Sequence, residues 1–211
     1  MTSVLVIDDH PVVLQGCRRV LADAGMEPVL TASELVAGYR LYRRYQPDVV
    51  VVDLAIQGKG LGGLDLIRRI CTHNPRARIL VLSMHNDAMI VARSLEAGAS
   101  GYVLKDTSSD ELVKAVQQVS NGVPYLDGEL AVKVALARSG GSHSNPLSEL
   151  TPRELQVLAL LADGKPYDRI ANELNVSYKT VVNVSSQLKQ KLHAGNLPEL
   201  VSTAVKLLTP P

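Results

Sequence analysis

The chain has 211 residues, 46% hydrophobic and 20% charged, with a formal net charge of +1. Apolar content this high with average charge excludes a disordered chain, and the length suits one large domain or two small ones, each with its own core. No apolar run approaches the ~18 residues of a spanning helix, and Met1-Thr2-Ser3 leads straight into Val4-Leu5-Val6-Ile7 without a basic segment or cleavage site, so neither a membrane contact nor a secretory signal is expected.

Over the first 120 residues, short apolar runs alternate with amphipathic stretches. The runs are Val4–Ile7, Pro28–Leu30, Val49–Val52, Ile79–Leu82 and Gly101–Leu104, and helical periodicity falls on 11–25, 33–45, 63–73, 87–97 and 108–121. Unbroken Val/Ile/Leu runs mark strands covered on both faces, which means a parallel sheet. Ser108-Ser109-Asp110-Glu111 supplies a capping box for the last helix and Asn121-Gly122 its stop. Five β–α pairs in succession predict an α/β doubly wound, five-stranded parallel sheet. Cys17 and Cys71 lie in these helical patterns at no metal or redox spacing and read as buried structural thiols of a reducing, cytoplasmic setting.

A short helix is predicted over Asp127–Arg138, and Ser139-Gly-Gly-Ser-His-Ser-Asn-Pro146 has a linker's composition. Beyond it the pattern is wholly helical. Thr151-Pro152-Arg153-Glu154 combines an N-cap, a first-turn proline and a capping glutamate, opening a helix that runs to about Asp163 and stops at Gly164. A second helix spans about Tyr167–Leu174, a third is capped by Ser177 and reaches about Leu192, and a last covers roughly Pro198–Leu208. The second and third, joined by the tight Asn175-Val176 turn, read as helix-turn-helix within an all-α four-helix domain. Domains are therefore placed at 1–122 and 150–211, with a connecting helix and flexible linker over 123–149. Charge is evenly spread, 15 Lys and Arg against 15 Asp and Glu over 1–138 and 7 against 6 over 139–211, which is less basic than nucleic-acid domains usually are.

In a doubly wound sheet, ligands meet the carboxyl ends of the strands. Asp8 and Asp9 follow the first strand, Asp53 the third, Ser83 ends the fourth and Lys105 follows the fifth, so residues remote in sequence converge on one crevice. Carboxylates about 4–5 Å apart repel by about 4 kcal/mol per pair at an effective dielectric near 20. A divalent cation and the Lys105 ammonium neutralise that repulsion, and Mg2+ takes one or two carboxylates together with a phosphate. A carboxylate so placed can attack phosphorus to form an aspartyl phosphate, Lys105 and the cation stabilising the transferring group and Ser83 bonding one of its oxygens. Singly, each residue has a plainer reading, since a strand-end aspartate ordinarily caps a helix or turns the chain. His10, beside the crevice, reads as a surface residue at a helix start, and histidines 73, 85, 143 and 193 show no metal spacing.

Asp8-Asp9, Asp53, Ser83 and Lys105, with Gly101-Tyr102-Val103-Leu104-Lys105, resemble the receiver domain of bacterial two-component response regulators over residues 2–122. The resemblance implies a flavodoxin-like fold and phosphate accepted on Asp53 from a sensor histidine kinase. It implies Mg2+ held by Asp9, Asp53 and the Ala55 carbonyl, with Asp8 assisting through water. Ser83 and Tyr102 resemble the switch pair: a hydroxyl drawn toward the phosphoryl group leaves space into which the ring turns, coupling the crevice to the face of the fourth helix, fifth strand and fifth helix. The acceptor loop departs from the family's Met-Pro-Gly turn. Gln57 replaces the proline in Asp53-Leu-Ala-Ile-Gln-Gly-Lys-Gly-Leu-Gly-Gly63, which is about two residues longer, and its four glycines predict mobility. Lys59 in this loop reads as a solvated residue or a phosphate contact.

Thr151-Pro-Arg-Glu-Leu-Gln-Val-Leu, Arg169-Ile-Ala-Asn-Glu-Leu-Asn-Val-Ser-Tyr-Lys-Thr-Val181 and Lys191-Leu192 resemble the LuxR-type DNA-binding domain, and the whole chain then resembles the NarL/FixJ subfamily. This implies a transcription regulator that dimerises on phosphorylation and whose third C-terminal helix, Ser177–Leu192, enters the major groove of double-stranded promoter DNA. Val181, Val184, Leu188 and Leu192 follow 3-4-4 spacing and should face the core, leaving Lys179, Thr180, Val182, Asn183, Ser186, Lys189 and Gln190 toward DNA or solvent. Arg169, Lys165, Lys191 and Lys206 are further candidate phosphate contacts. Val182 and Ser186 stand where the family often carries basic residues, and Val184 replaces a frequent histidine. In the resting state the reading helix is expected to be masked against the receiver, or the chain held monomeric. A degenerate helix-turn-helix kept for protein contacts is an alternative. An aspartate-nucleophile phosphatase is another, against which stand the lack of a second in-line carboxylate and of a cap domain. The chain is otherwise read as no enzyme beyond its own phosphotransfer and autodephosphorylation.

Overall fold

The computed structural model describes residues 1–56, 61–138 and 146–208. Its N-terminal part alternates β1 (Val4–Ile7), α1 (Pro11–Asp23), β2 (Val29–Ala32), α2 (Leu35–Tyr45), β3 (Val49–Val52), α3 (Gly62–His73), β4 (Ile79–Ser83), α4 (Ala88–Glu96), β5 (Gly101–Leu104) and α5 (Ser109–Ser120), then adds β6 (Tyr125–Leu126) and α6 (Gly128–Arg138). All strands join one parallel sheet in the order β2-β1-β3-β4-β5-β6. The five expected strands are present, and β6 extends the sheet by pairing Tyr125 with Gly101 and Leu126 with Tyr102. Two residues are too few for periodicity to reveal. Gly101 admits this strand, because a Cβ there would stand 2.7 Å from the Tyr125 carbonyl oxygen. β2 starts at Val29 and runs to Ala32, later than expected, since Pro28 has no N–H for the ladder while Thr31 and Ala32 pair with Val6 and Ile7.

Val4–Ile7 and Val49–Val52 are buried along their whole length, as strands covered on both faces must be. One face packs α1 and α5 through Cys17, Leu21, Leu112 and Val116, and the other packs α2, α3 and α4 through Tyr42, Ile67, Ile90 and Val91. Chain order reverses at β1 and β3, so the loops leaving these neighbours diverge and open a crevice at the carboxyl edge. Cys17 is buried and burial lifts its thiol to about 11. Cys71 is only partly buried, short of the expectation, because it sits at the margin of α3 against Gly98.

A 3-10 turn, Pro146–Glu149, leads into α7 (Pro152–Ala162), α8 (Tyr167–Glu173), α9 (Tyr178–Lys191) and α10 (Leu197–Leu208). The capping box of α7 forms in full: Thr151 N–H donates to Glu154 Oε2 at 2.7 Å and Glu154 N–H to Thr151 Oγ1 at 3.3 Å. At α5 only half of the expected box forms. Ser108 Oγ accepts the Glu111 N–H at 3.2 Å, but the Glu111 carboxylate takes the Tyr125 hydroxyl of β6 instead.

α6 lies against α4 and buries Leu130 and Val134. One apolar cluster continues from there to Leu147, Leu150 and Leu155 of the C-terminal part. Polar ties join the halves as well. Arg93 Nη2 donates to the Leu150 carbonyl at 2.6 Å, Gln156 Nε2 to Asp65 Oδ2 at 2.5 Å, and the His85 ring lies 3.3 Å from the Leu208 carbonyl oxygen. Among the described residues no helix is long and apolar enough to cross a membrane. Residues 57–60 of the acceptor loop, Lys59 included, and residues 139–145 of the expected linker lie outside the described residues.

Candidate functional site

Ile7 of β1 stands opposite Val52 of β3, so the residues that follow, Asp8 and Asp53, leave the carboxyl edge side by side. Both are almost fully buried, at 1% and 3% exposure. Lys105, following β5, extends across β4 to them. Its Nζ lies 2.8 Å from Asp8 Oδ2 and 2.8 Å from Asp53 Oδ2. Asp9 completes the acidic wall, and ligand atoms of Asp8, Asp9, His10 and Asp53 all lie within 4.8 Å of one another. His10 is at the surface, as expected, with 64% of its side chain exposed, yet its Nδ1 stands 3.0 Å from Asp8 Oδ1 and 3.1 Å from Asp9 Oδ1. Its own N–H donates to Asp8 Oδ1 at 2.9 Å, which folds the start of α1 back over the carboxylates. Adjacency in Asp8-Asp9-His10-Pro11 was the one signal for this contact.

Burial pushes the Asp53 carboxyl above the usual carboxylate range and the Asp8 charge adds to the rise, against the pull of Lys105 and of the Ala55 N–H. Burial alone would draw Lys105 down, but hydrogen bonds and charges from Asp53 and Asp8 outweigh it and hold the ammonium above its ordinary value. One buried ammonium thus faces two buried carboxylates with a third beside them. Converging carboxylate oxygens of this kind suit a small hard cation such as Mg2+ rather than a soft metal.

Ser83, fully buried at the end of β4, accepts the His85 N–H at 3.3 Å, and Tyr102, fully buried on β5, donates its hydroxyl to the His85 carbonyl at 2.7 Å. The Tyr102 ring is therefore already turned inside, and burial raises its hydroxyl well above the ordinary tyrosine range. Both members of the expected switch pair meet on His85, whose ring reaches the end of α10. Sequence reasoning said of His85 only that it shows no metal spacing, and its place two residues beyond Ser83 was the one signal for this contact.

In α9, Val181, Val184, Ser185 and Leu188 are buried, Lys179, Asn183, Ser186 and Gln187 face solvent, and Val182 and Lys189 are half-buried. Gln187 was not among the expected outward residues. Thr180 is engaged at the helix start, its N–H on Ser177 Oγ at 3.1 Å and its hydroxyl paired with the same oxygen at 2.8 Å. Ser186 Oγ donates back to the Val182 carbonyl at 3.0 Å. Arg169 is exposed on α8, whereas Glu173 holds Lys165 at 2.9 Å and Glu154 holds Lys191 at 2.8 Å. Among the described residues nothing covers the outward face of α9, so the masking expected of a resting state is not seen there. The N-terminal half instead grips α7 and the end of α10.

Residues 4–117 match the response regulator receiver domain, and residues 148–204 match the luxR family of bacterial regulatory proteins. The chain belongs to the two-component response regulators. This response regulator is 37% identical over 207 residues to the methanol utilization control regulatory protein MoxX of Paracoccus denitrificans, covering 97% of this chain and 91% of that protein. It is 34% identical over 211 residues to the oxygen regulatory protein NreC of Staphylococcus carnosus, covering 97% of each. Among solved structures, the RcsB response regulator of Salmonella typhimurium matches with TM-score 0.77 and 28% identity over 98% of both chains. RcsB bound to the promoter rprA in the presence of the phosphomimetic BeF3- matches with TM-score 0.72 and 29% identity, covering 97% of this response regulator and 98% of that chain.

Proposed function

We propose that this response regulator is a cytoplasmic transcription switch in which Asp53 accepts a phosphoryl group from a sensor histidine kinase and the helix-turn-helix then binds promoter DNA as a homodimer. The observation that carries this reading is Lys105 Nζ at 2.8 Å from both Asp8 and Asp53, in one chain with an open reading helix. The receiver extends over 1–122, the connecting segment over 123–149 and the output domain over 150–211. An Asp53 carboxylate oxygen attacks phosphorus, the phosphorus–nitrogen bond of the kinase phosphohistidine breaks, and the imidazole leaves with the electron pair. Asp9, Asp53 and the Ala55 carbonyl would hold Mg2+, with Asp8 assisting through water, and the cation would supply compensation for charge on the phosphoryl oxygens. Lys105 neutralises another of those oxygens and the Ser83 hydroxyl bonds a third. Turning to the phosphoryl group, Ser83 releases the His85 N–H, and the contact of His85 with Leu208 carries the change to α10. Lys179, Asn183, Ser186 and Lys189 line the surface offered to base edges and phosphates, with Thr180, Val182 and Arg169 beside them.

The test is selection of genomic fragments with and without acetyl phosphate or BeF3-, comparing the native chain with Asp53→Asn. Donor-enhanced selection of paired half-sites about one helical turn apart, lost in Asp53→Asn, is the expected result. Selection that ignores the donor in protein that binds BeF3- would remove Asp53 from the switch. A second reading, in which the output domain contacts protein, is supported by the neutralisation of Lys165 and Lys191 by Glu173 and Glu154. It predicts no fragment selection at moderate salt, where a DNA reader with several phosphate contacts loses affinity steeply only as salt rises.

A further inference from the structure

α2 carries three arginines and no acidic residue between Leu35 and Tyr45. It buries Gly38 and Tyr42 against the sheet, leaving Arg40, Arg43 and Arg44 exposed beside the half-buried Tyr39. α3 packs alongside and contributes Arg69. These four arginines, with Val36 and Tyr39, line a groove of about 550 Å³ that shares no residue with the carboxylate crevice.

Elsewhere on the receiver two arginines pair with carboxylates, Arg19 with Asp23 at 3.8 Å and Arg68 with Asp65 at 3.2 Å. Among the described residues none of Arg40, Arg43, Arg44 and Arg69 does so. Three of them meet rings. The Arg69 guanidinium lies 4.1 Å from the Tyr39 ring centre, Arg44 lies 5.3 Å from that of Tyr45, and Arg43 Nη1 lies 3.2 Å from His73 Nδ1. Arg43 and Arg69 draw the Tyr39 hydroxyl below the ordinary tyrosine range. Guanidiniums gathered without counter-charge repel one another, and the planar two-pronged group is the donor best matched to phosphate. Stacking on Tyr39 also holds Arg69 in place, so less side-chain freedom is lost when an anion arrives.

A cavity of about 230 Å³ adjoins the groove and shares Val36, Tyr39 and Arg69 with it. Its remaining wall is Leu35, Gly62, Asp65 and Leu66 of the receiver and Arg153, Gln156, Glu173 and Leu174 of the output domain, with Asp65 held by Arg68 and Gln156 and Glu173 by Lys165. Guanidinium charge concentrated at one end and, at the other, a recess that offers Leu35, Leu66 and Leu174 beside the polar Gln156 and Asp65 fit a small organic phosphate, whose ring system brings apolar faces and hydrogen-bonding edges together. A DNA backbone, by contrast, presents phosphates in a line and has no use for the recess.

We infer that the α2–α3 groove binds a phosphorylated small molecule of the nucleoside polyphosphate class, with its phosphates on Arg40, Arg43, Arg44 and Arg69 and its ring system in the recess between receiver and output domain. The site needs neither Asp53 nor DNA binding. The test is calorimetric titration of the full chain, without magnesium, using inorganic triphosphate, ATP and a DNA duplex of about two helical turns. One triphosphate should saturate per chain, and ATP should bind more tightly than triphosphate. The exposed double substitution Arg40→Gln with Arg44→Gln should weaken both by about ten-fold or more, with an unchanged circular dichroism spectrum, and Asp53→Asn should change neither. No saturation, or saturation unmoved by the arginine substitutions, overturns the site. ATP no tighter than triphosphate overturns the nucleoside assignment, and binding of the duplex alone, lost with the two arginines, gives the groove to a DNA backbone and overturns the small ligand.

Discussion

Gly63 occupies a point in the fold where a side chain has no room. A Cβ there would run into the Asp53 carbonyl and stand 2.7 Å from Leu54 Cα, while the Gly63 N–H donates to the Leu54 carbonyl at 2.9 Å. α3 therefore starts pressed against the backbone that presents Asp53. Gly63→Ala is expected to displace that backbone at a cost of about 1–3 kcal/mol and to weaken BeF3- binding, read by urea denaturation and fluorine NMR; native BeF3- affinity in the variant would show that the backbone accommodates the methyl. Tyr102→Phe keeps the ring but removes the donor that the part-buried His85 carbonyl accepts, an expected loss of about 0.5–1.5 kcal/mol in the same denaturation assay. An unchanged midpoint would mean that this hydroxyl holds nothing. The convergence of Asp8, Asp9, Asp53, Ser83 and Lys105 was legible because each ends or follows an apolar run in a sheet whose strand order obeys general rules. The contacts of His10 and His85 were not, because loop backbone sets them. Nor was the arginine groove, since Arg69 joins α2 from another helix.

At the level of elements, the long periodic helices were readable and the short pieces were not: β6 has two residues, and its Tyr125 diverts Glu111 from the capping box that Ser108 begins. The box at α7 is complete and more heavily used, because Lys191 of α9 reaches Glu154 Oε2 at 2.8 Å and so fastens the reading helix to the start of α7. Burial alone would raise the Glu154 carboxyl, but Lys191 and Thr151 outweigh it and hold it below the ordinary glutamate range. A depressed folded value means that the ionised group stabilises fully above its unfolded value of about 4.3, and that this contribution fades as pH falls through the lower folded value. Thermal melts of the native chain should therefore drop below about pH 4, and Glu154→Gln should be less stable near neutrality with a flatter acid limb. Parallel acid limbs in the two proteins would assign the loss to other carboxylates.

For the whole molecule, the decisive feature is which side of the output domain the receiver holds. Gln156 of α7 bonds Asp65, Arg93 bonds Leu150, and His85 meets Leu208, while Lys179, Asn183 and Ser186 of α9 remain open to solvent. Control by covering the reading helix does not suit this arrangement; the proposed switch instead frees α10 and lets two chains pair. One weakly basic module binds DNA poorly, whereas two joined modules gain through effective concentration. The polar ties contribute about 0.5–1.5 kcal/mol each beside the continuous apolar cluster, and the proposed phosphoryl switch would have to supply about 5.5 kcal/mol to reverse a 1:99 balance. Asp65→Ala removes an exposed partner of Gln156 and is expected to enlarge the radius of gyration in small-angle scattering without BeF3-. In the native chain BeF3- should produce the same enlargement. His85→Ala should still bind BeF3- by fluorine NMR yet respond to it weakly in scattering, because the tie from Ser83 to Leu208 runs through that side chain. A His85→Ala chain that expands with BeF3- as fully as the native one would place the coupling elsewhere, with the apolar contact of α6 on α4 the next element to cut.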